Sequence, residues 1–160
     1  MSTNIATLNA ESPSTALGNG GAGLARYLVP IGRAAFAAIF IVAAAGHFSQ
    51  QTIAYAAQQG LPLPQILVPL SGLIAFAGGL SVLLGYRARI GAGLLVGFLV
   101  PATPMFHNFW AVTDPMMAQM QQAMFLKNLS MVGGALLIAY HGAGPLSLDA
   151  RRAGTQAAIT

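Results

Sequence analysis

Residues 66–86, ILVPLSGLIAFAGGLSVLLGY, run from Ile66 to Tyr86 without one charged side chain. A helix needs about 20 mostly apolar residues to cross a hydrocarbon core. This stretch supplies them and shows no polar stripe for water to wet. Three more apolar segments surround it: Leu28 to Phe48, Ile90 to Phe109 and Met124 to His141. The last two reach spanning length when their polar ends rest at the interface. The expected fold is all-α: a polytopic membrane protein, with a four-transmembrane-helix bundle over residues 24–149.

Composition points the same way. The chain has 160 residues, 56% hydrophobic and 6% charged, where ordinary soluble domains carry roughly 25% charge. Seven Lys and Arg with three Asp and Glu cannot coat a water-facing surface of this size. The formal charge of +4 is spread over segment ends rather than gathered in a patch, so nucleic acid is not an expected partner. The absence of Cys excludes disulfides, thiol nucleophiles and thiolate metal sites. No phosphate-cradling Gly loop, nucleophile–base–acid set or carboxylate pair offers soluble enzyme chemistry.

Residues 1–23, rich in Ser, Thr, Asn, Ala and Gly with one charge at Glu11, read as a disordered tail without the basic start of a secretory signal. Residues 150–160 read as a C-terminal tail. Spans two and three are joined only by Arg87-Ala88-Arg89. Spans one and two are joined by the uncharged Ser49 to Gln65, where Gly60-Leu61-Pro62-Leu63-Pro64 stops a helix. Spans three and four are joined by Ala111 to Ala123, with a turn at Asp114-Pro115 and a short surface helix over Met116 to Gln122.

Basic residues set the orientation. In a four-pass topology Arg26, Arg33, Arg87, Arg89, Arg151 and Arg152 fall on one side and Lys127 alone on the other. Both termini are therefore expected in the cytoplasm. Similar glycine pairs in spans two and four, and similar His-containing ends of spans one and three, suggest two helical hairpins repeated about an axis along the membrane normal. Gly93 with Gly97, and Ser71 with Ala75 and Gly79, stand four apart and are expected at helix contacts. Pro101 and Pro104 remove helical hydrogen bonds just ahead of His107, predicting a kink there.

That topology gathers His47, His107, Asn108, Trp110, Lys127 and Asn128 at the outer face. Polar groups within spans are functional candidates by default, although Lys127 alone would snorkel and Trp110 alone would be an interfacial anchor. Imidazole and ammonium donate to carbonyl oxygens, and imidazole exchanges protons near neutral pH. This suits a quinone head group: His107 and Lys127 would bond it, Asn108 and Asn128 would orient them, and Trp110 would cover the ring. Haem between His47 and His107, or a metal on two His and Asp114, is a weaker reading, and no metal is expected. At the opposite face Arg33 and Asp149 are expected to form an ion pair.

Gly32-Arg33, Ile39-Phe40 and Gly46-His47-Phe48 resemble the first helix of DoxX-like membrane proteins. So do Gly78-Gly79 through Leu84-Gly85-Tyr86, and Phe125-Leu126-Lys127-Asn128 through Gly133-Gly134. The closing Gly142-x-Gly144-Pro145-x-Ser147-Leu148-Asp149 looks like that family's ending. The resemblance covers about Leu28 to Asp149. It implies a four-helix inner-membrane protein and, through namesakes linked to a thiosulfate:quinone oxidoreductase, a small membrane subunit or accessory of a redox system. A redox partner subunit and a homo-oligomer are the protein partners considered. The alternatives are a non-catalytic scaffold or assembly factor, whose polar cluster only ties helices together, and a small-solute transporter.

A fluorescent reporter fused after Thr160 is expected to glow in living bacteria, and a periplasm-dependent phosphatase fused there to stay inactive. The reverse pair would invert the topology.

Overall fold

A computed structural model describes residues 14–157 of the protein. Among them α1 (Ser14–Ala44) passes into a 3-10 turn (Ala45–Phe48). α2 (Gln50–Gln58), α3 (Pro64–Leu84) and α4 (Ala88–Phe106) follow. A second 3-10 turn (Phe109–Ala111) leads to α5 (Pro115–His141) and α6 (Leu148–Ala157). Four stretches are long and apolar enough to cross a membrane: Arg26–Phe48, Pro64–Leu84, Ala88–Ala111 and Pro115–His141. The expected four-span architecture is therefore present, with no strand among the described residues.

Three boundaries differ from the sequence reading. The segment read as a tail is helical from Ser14 onward, directly after Pro13; once a long helix exists, each added residue gains a hydrogen bond at little cost. Residues 1–13 lie outside the described residues. The loop between the first two spans holds α2, whose N-terminus is capped by the Ser49 hydroxyl accepting from the amide of Thr52 at 3.2 Å. The Met/Gln stretch is no separate surface helix. It is the start of α5, capped by the Asp114 carboxylate accepting from the Met117 amide at 2.7 Å. α5 is then roughly 40 Å long, longer than a hydrocarbon core of about 30 Å, so one end must project or tilt. Pro101 and Pro104 do not end α4, which runs on to Phe106.

α3 is the centre of the bundle. It packs on α1 along one side and on α4 along the other, and α4 carries α5. Glycines set the closest approaches. A Cβ on Gly78 would fall 2.8 Å from Leu95 and 3.0 Å from the carbonyl oxygen of Gly91. A Cβ on Gly79 would fall 3.1 Å from Phe40. In lipid such contacts supply dispersion rather than hydrophobic gain. Gly79 and the buried Ala75 thus sit at helix contacts as expected. Gly93 and Gly97 do not, because no atom of another element comes within 4 Å of a Cβ placed there. The α3–α4 crossing uses Gly78 and Gly91 instead.

The two halves share one device. α1 and α4 each finish near a 3-10 turn with a histidine at hand, His47 in the first turn and His107 just ahead of the second. Each is followed by a side-chain-capped helix. The halves differ in that α2 is an added helix between spans, whereas the second connection leads straight into a span.

At the opposite, basic end the expected ion pair is replaced by two separate arrangements. The Arg33 guanidinium, buried at 5% exposure, donates to the carbonyl oxygens of Ala143 at 2.6 Å and Leu146 at 2.9 Å. The turn that offers them is held open by left-handed residues Gly142, Gly144 and Leu146. Asp149 instead accepts from the backbone amides of Arg87 at 2.8 Å and Ala88 at 3.1 Å. It caps α4, whose first residue has no cap of its own. Carbonyl dipoles answer the arginine and a helix N-terminus claims the carboxylate; the two charges feel each other as neighbours but share no hydrogen bond. Arg152 lies over the Tyr86 ring, 4.4 Å from its centroid, and holds that phenol below its ordinary pKa through a hydrogen bond and its charge.

Gly78→Leu is expected to cost about 1–3 kcal/mol or more by overpacking the crossing, read as a lower melting temperature in detergent. Gly93→Ala, with open space around it, should melt no lower than the parent.

Candidate functional site

At the histidine end the four spans separate around a cavity of about 790 Å³. Its walls are almost wholly apolar. His47, Ser71, His107, Lys127 and Asn128 stand among them, with Thr52 and Tyr55 from α2. Leu70, Leu94 and Pro101 belong to the lining and are exposed on the outside of the bundle, so the cavity reaches the lipid-facing side.

His47 is placed by a glycine. A Cβ on Gly72 would lie 2.6 Å from the His47 Cβ, so α3 seats directly beneath the turn that carries the imidazole. Its Nδ1 is 2.8 Å from the Ser71 hydroxyl, which in turn donates to the carbonyl oxygen of Val68 at 2.7 Å. The hydroxyl has one proton and gives it to the carbonyl, so Nδ1 is the donor to Ser71. A neutral His47 then carries its lone pair on Nε2. Phe98 meets the ring edge-on at 5.8 Å.

His107 stands just beyond the last turn of α4, its own amide bonded to the Thr103 carbonyl at 3.0 Å. Its Nδ1 lies 2.7 Å from the Gln121 amide oxygen, an acceptor, which again makes Nδ1 the donor and Nε2 the free nitrogen. Gln121 comes from the α5 extension that the sequence reading treated as surface. The signal was there: with Asp114 as cap, an unbroken helix from Pro115 carries Gln121 back over the end of α4.

Asn128 is the exceptional group. It is 8% exposed, it lines the cavity, and among the described residues its side chain makes no hydrogen bond. Its amide is not sealed off but opens to the cavity; the sealed side-chain atom without a partner among the described residues is Arg33 Nε at the other end of the bundle. Lys127 also lines the cavity; its ammonium lies 3.4 Å from the Met124 sulfur, a weak acceptor, which leaves it free to serve another.

Four of the six candidate residues therefore share one cavity: His47, His107, Lys127 and Asn128. Asn108 and Trp110 do not join them. The Asn108 carbonyl accepts from the Ala111 amide at 2.9 Å in the 3-10 turn. Trp110, 61% exposed, packs edge-on against Phe109 at 5.1 Å and Phe125 at 5.8 Å. Asp114, the third group of the metal alternative, is engaged as the α5 cap.

Four spans, a buried Arg33 answered by the Gly142–Leu146 turn, and histidines closing the first and third spans form one pattern along the chain. The DoxX family model matches residues 28–108. The chain belongs to the DoxX family. It is 32% identical over 126 residues to the inner membrane protein YqjF of Escherichia coli K12, covering 79% of this chain and 87% of that protein. It is 29% identical over 100 residues to the inner membrane protein YphA of the same organism, covering 62% and 71%. No solved structure matches it. This DoxX-family chain is accordingly a multi-pass protein of the bacterial inner membrane.

Asn128→Leu is expected to melt no lower than the parent as ligand-free protein in detergent, because the amide it removes makes no hydrogen bond among the described residues. A fall would mean that Asn128 ties helices together.

Proposed function

We propose that this DoxX-family protein is a small membrane subunit or accessory of a redox system, and that its cavity receives the head group of a quinone. The observation that carries the reading is the unpartnered amide of Asn128, a residue 8% exposed, in the lining of an apolar cavity that also carries two imidazoles and an ammonium. A quinone ring is flat and apolar and carries two carbonyl oxygens. Asn128 and Lys127 are donors suited to those oxygens. Neutral His47 and His107, each with Nδ1 engaged, would present Nε2 as proton acceptors for the hydroxyls of the reduced form. Conversion of quinone to quinol takes up two electrons and two protons. The imidazoles would relay the protons, and the electrons would come from or go to a partner redox subunit.

Orientation belongs to the same proposal. With Arg33, Arg87, Arg89 and Arg152 at one end of the bundle and Lys127 at the other, the basic end faces the cytoplasm. The cavity then opens toward the outer leaflet. An exposed lining of Leu70, Leu94 and Pro101 supports entry from the lipid rather than from water.

Protein purified in mild detergent is expected to yield a quinone on solvent extraction, near one per chain. His107→Ala should retain about a tenth of that at equal protein yield, since one lost bond to the head group is worth roughly 1–1.5 kcal/mol. An extract without quinone would overturn the reading. Loss of the protein itself from the membrane in His107→Ala would favour the scaffold alternative.

A further inference from the structure

We propose that Gly93 and Gly97 of α4 are the floor of a tail groove in the same site. The ligand class that follows is an amphiphile: a polar planar head joined to a long hydrocarbon tail of isoprenoid type. The proposal rests on the head-group reading above and adds how the ligand enters and which residues select it.

Two independent observations point to it. At the head end, Asn128 is more than nine-tenths buried, unbonded among the described residues, and part of the cavity lining. Lower down, Gly93 and Gly97 stand one turn apart on α4, line that same cavity, and have nothing from another element within 4 Å of their Cβ positions. A helix contact explains Gly78 and Gly91, but not these two. Their lack of side chains keeps a channel open where a leucine would fill it.

The dimensions suit a tail. From Met105, beside the head-group residues, to Gly93 is twelve residues of helix, roughly 18 Å. α4 contributes to the cavity lining over this whole length, from His107 and Phe106 to Gly93. The side chains that line the cavity with the two glycines are mostly apolar, Leu70, Ile74 and Leu94 among them. Leu70 and Leu94 are 45% and 43% exposed on the lipid-facing side. A ligand can therefore slide in sideways with its tail still in the bilayer, so that only the head is desolvated. A small soluble dicarbonyl would forgo most of this surface.

The test uses two probes on the full chain in one detergent: a benzoquinone bearing a ten-carbon tail, and the same ring bearing a methyl group instead. The single tryptophan, Trp110, reports binding through quenching by the quinone ring. The wild-type protein is expected to bind the tailed probe at least about tenfold tighter than the methyl probe, since each buried methylene favours binding. Gly97→Leu should remove that preference while leaving the methyl probe's affinity unchanged, and an unshifted melting temperature would show that it folds. Gly93→Leu should act likewise. Equal binding of both probes by the wild type, or a preference that survives both substitutions, would overturn the groove and leave the head-group site standing. Failure of the wild type to bind either probe would overturn both.

Discussion

A bilayer offers no hydrogen bonds, so every polar group carried into it must find its partner within the protein. The organisation of this molecule follows from that constraint. Helices satisfy the backbone, and what remains is a small number of polar side chains at the two ends. The basic end is closed but for Arg33 Nε, which is buried without a partner among the described residues. Arg33 spends both terminal nitrogens on carbonyls of the Gly142–Leu146 turn, and Asp149 spends both carboxylate oxygens on the first amides of α4. The Gly142–Asp149 stretch thereby fastens the end of the chain to the starts of two spans. The histidine end is closed only halfway. Among the described residues His47 and His107 each have one ring nitrogen anchored and one without a partner, and the Asn128 side chain makes no hydrogen bond. Hydrogen-bonding capacity left unspent in an apolar cavity is the ground on which a ligand is proposed there.

Glycine placement turns this asymmetry into a shape. Where α3 meets α4, Gly78 and Gly91 let the backbones touch. Where α3 meets the His47 turn, Gly72 does the same. Farther along α4 the glycines face nothing, and the bundle that is tight on one side of α4 is hollow on another. One residue type in one helix thus serves both to close a contact and to hold open a space.

Much of this was legible in the amino-acid order, because lipid imposes simple rules. Spanning length and missing charge gave the four crossings, and the skewed arginines gathered at one end as expected. Up-and-down topology alone brought His47, His107, Lys127 and Asn128 to one cavity. The failures share a cause: each turned on competition for partners, which spacing does not reveal. Arg33 and Asp149 have opposite charge at one end of the bundle, yet backbone dipoles outbid each for the other. Trp110 and Asn108 lie next to His107 in sequence, but the 3-10 turn after α4 directs them to the rim. Gln121 was overlooked because uncharged Met and Gln residues resemble a surface segment, and α2 because its length is far below a span. Gly93 and Gly97 have the spacing of a helix contact and none of its neighbours.

The central claim is that Asn128 is kept unpaired for a ligand. The most direct measurement is an experimental structure of the protein in a nanodisc of its native lipids, at a resolution that shows side-chain amides. The account predicts a flat head group in the cavity with an oxygen within hydrogen-bond distance of the Asn128 amide nitrogen. A collapsed cavity, with that amide bonded to a neighbouring helix, would contradict it.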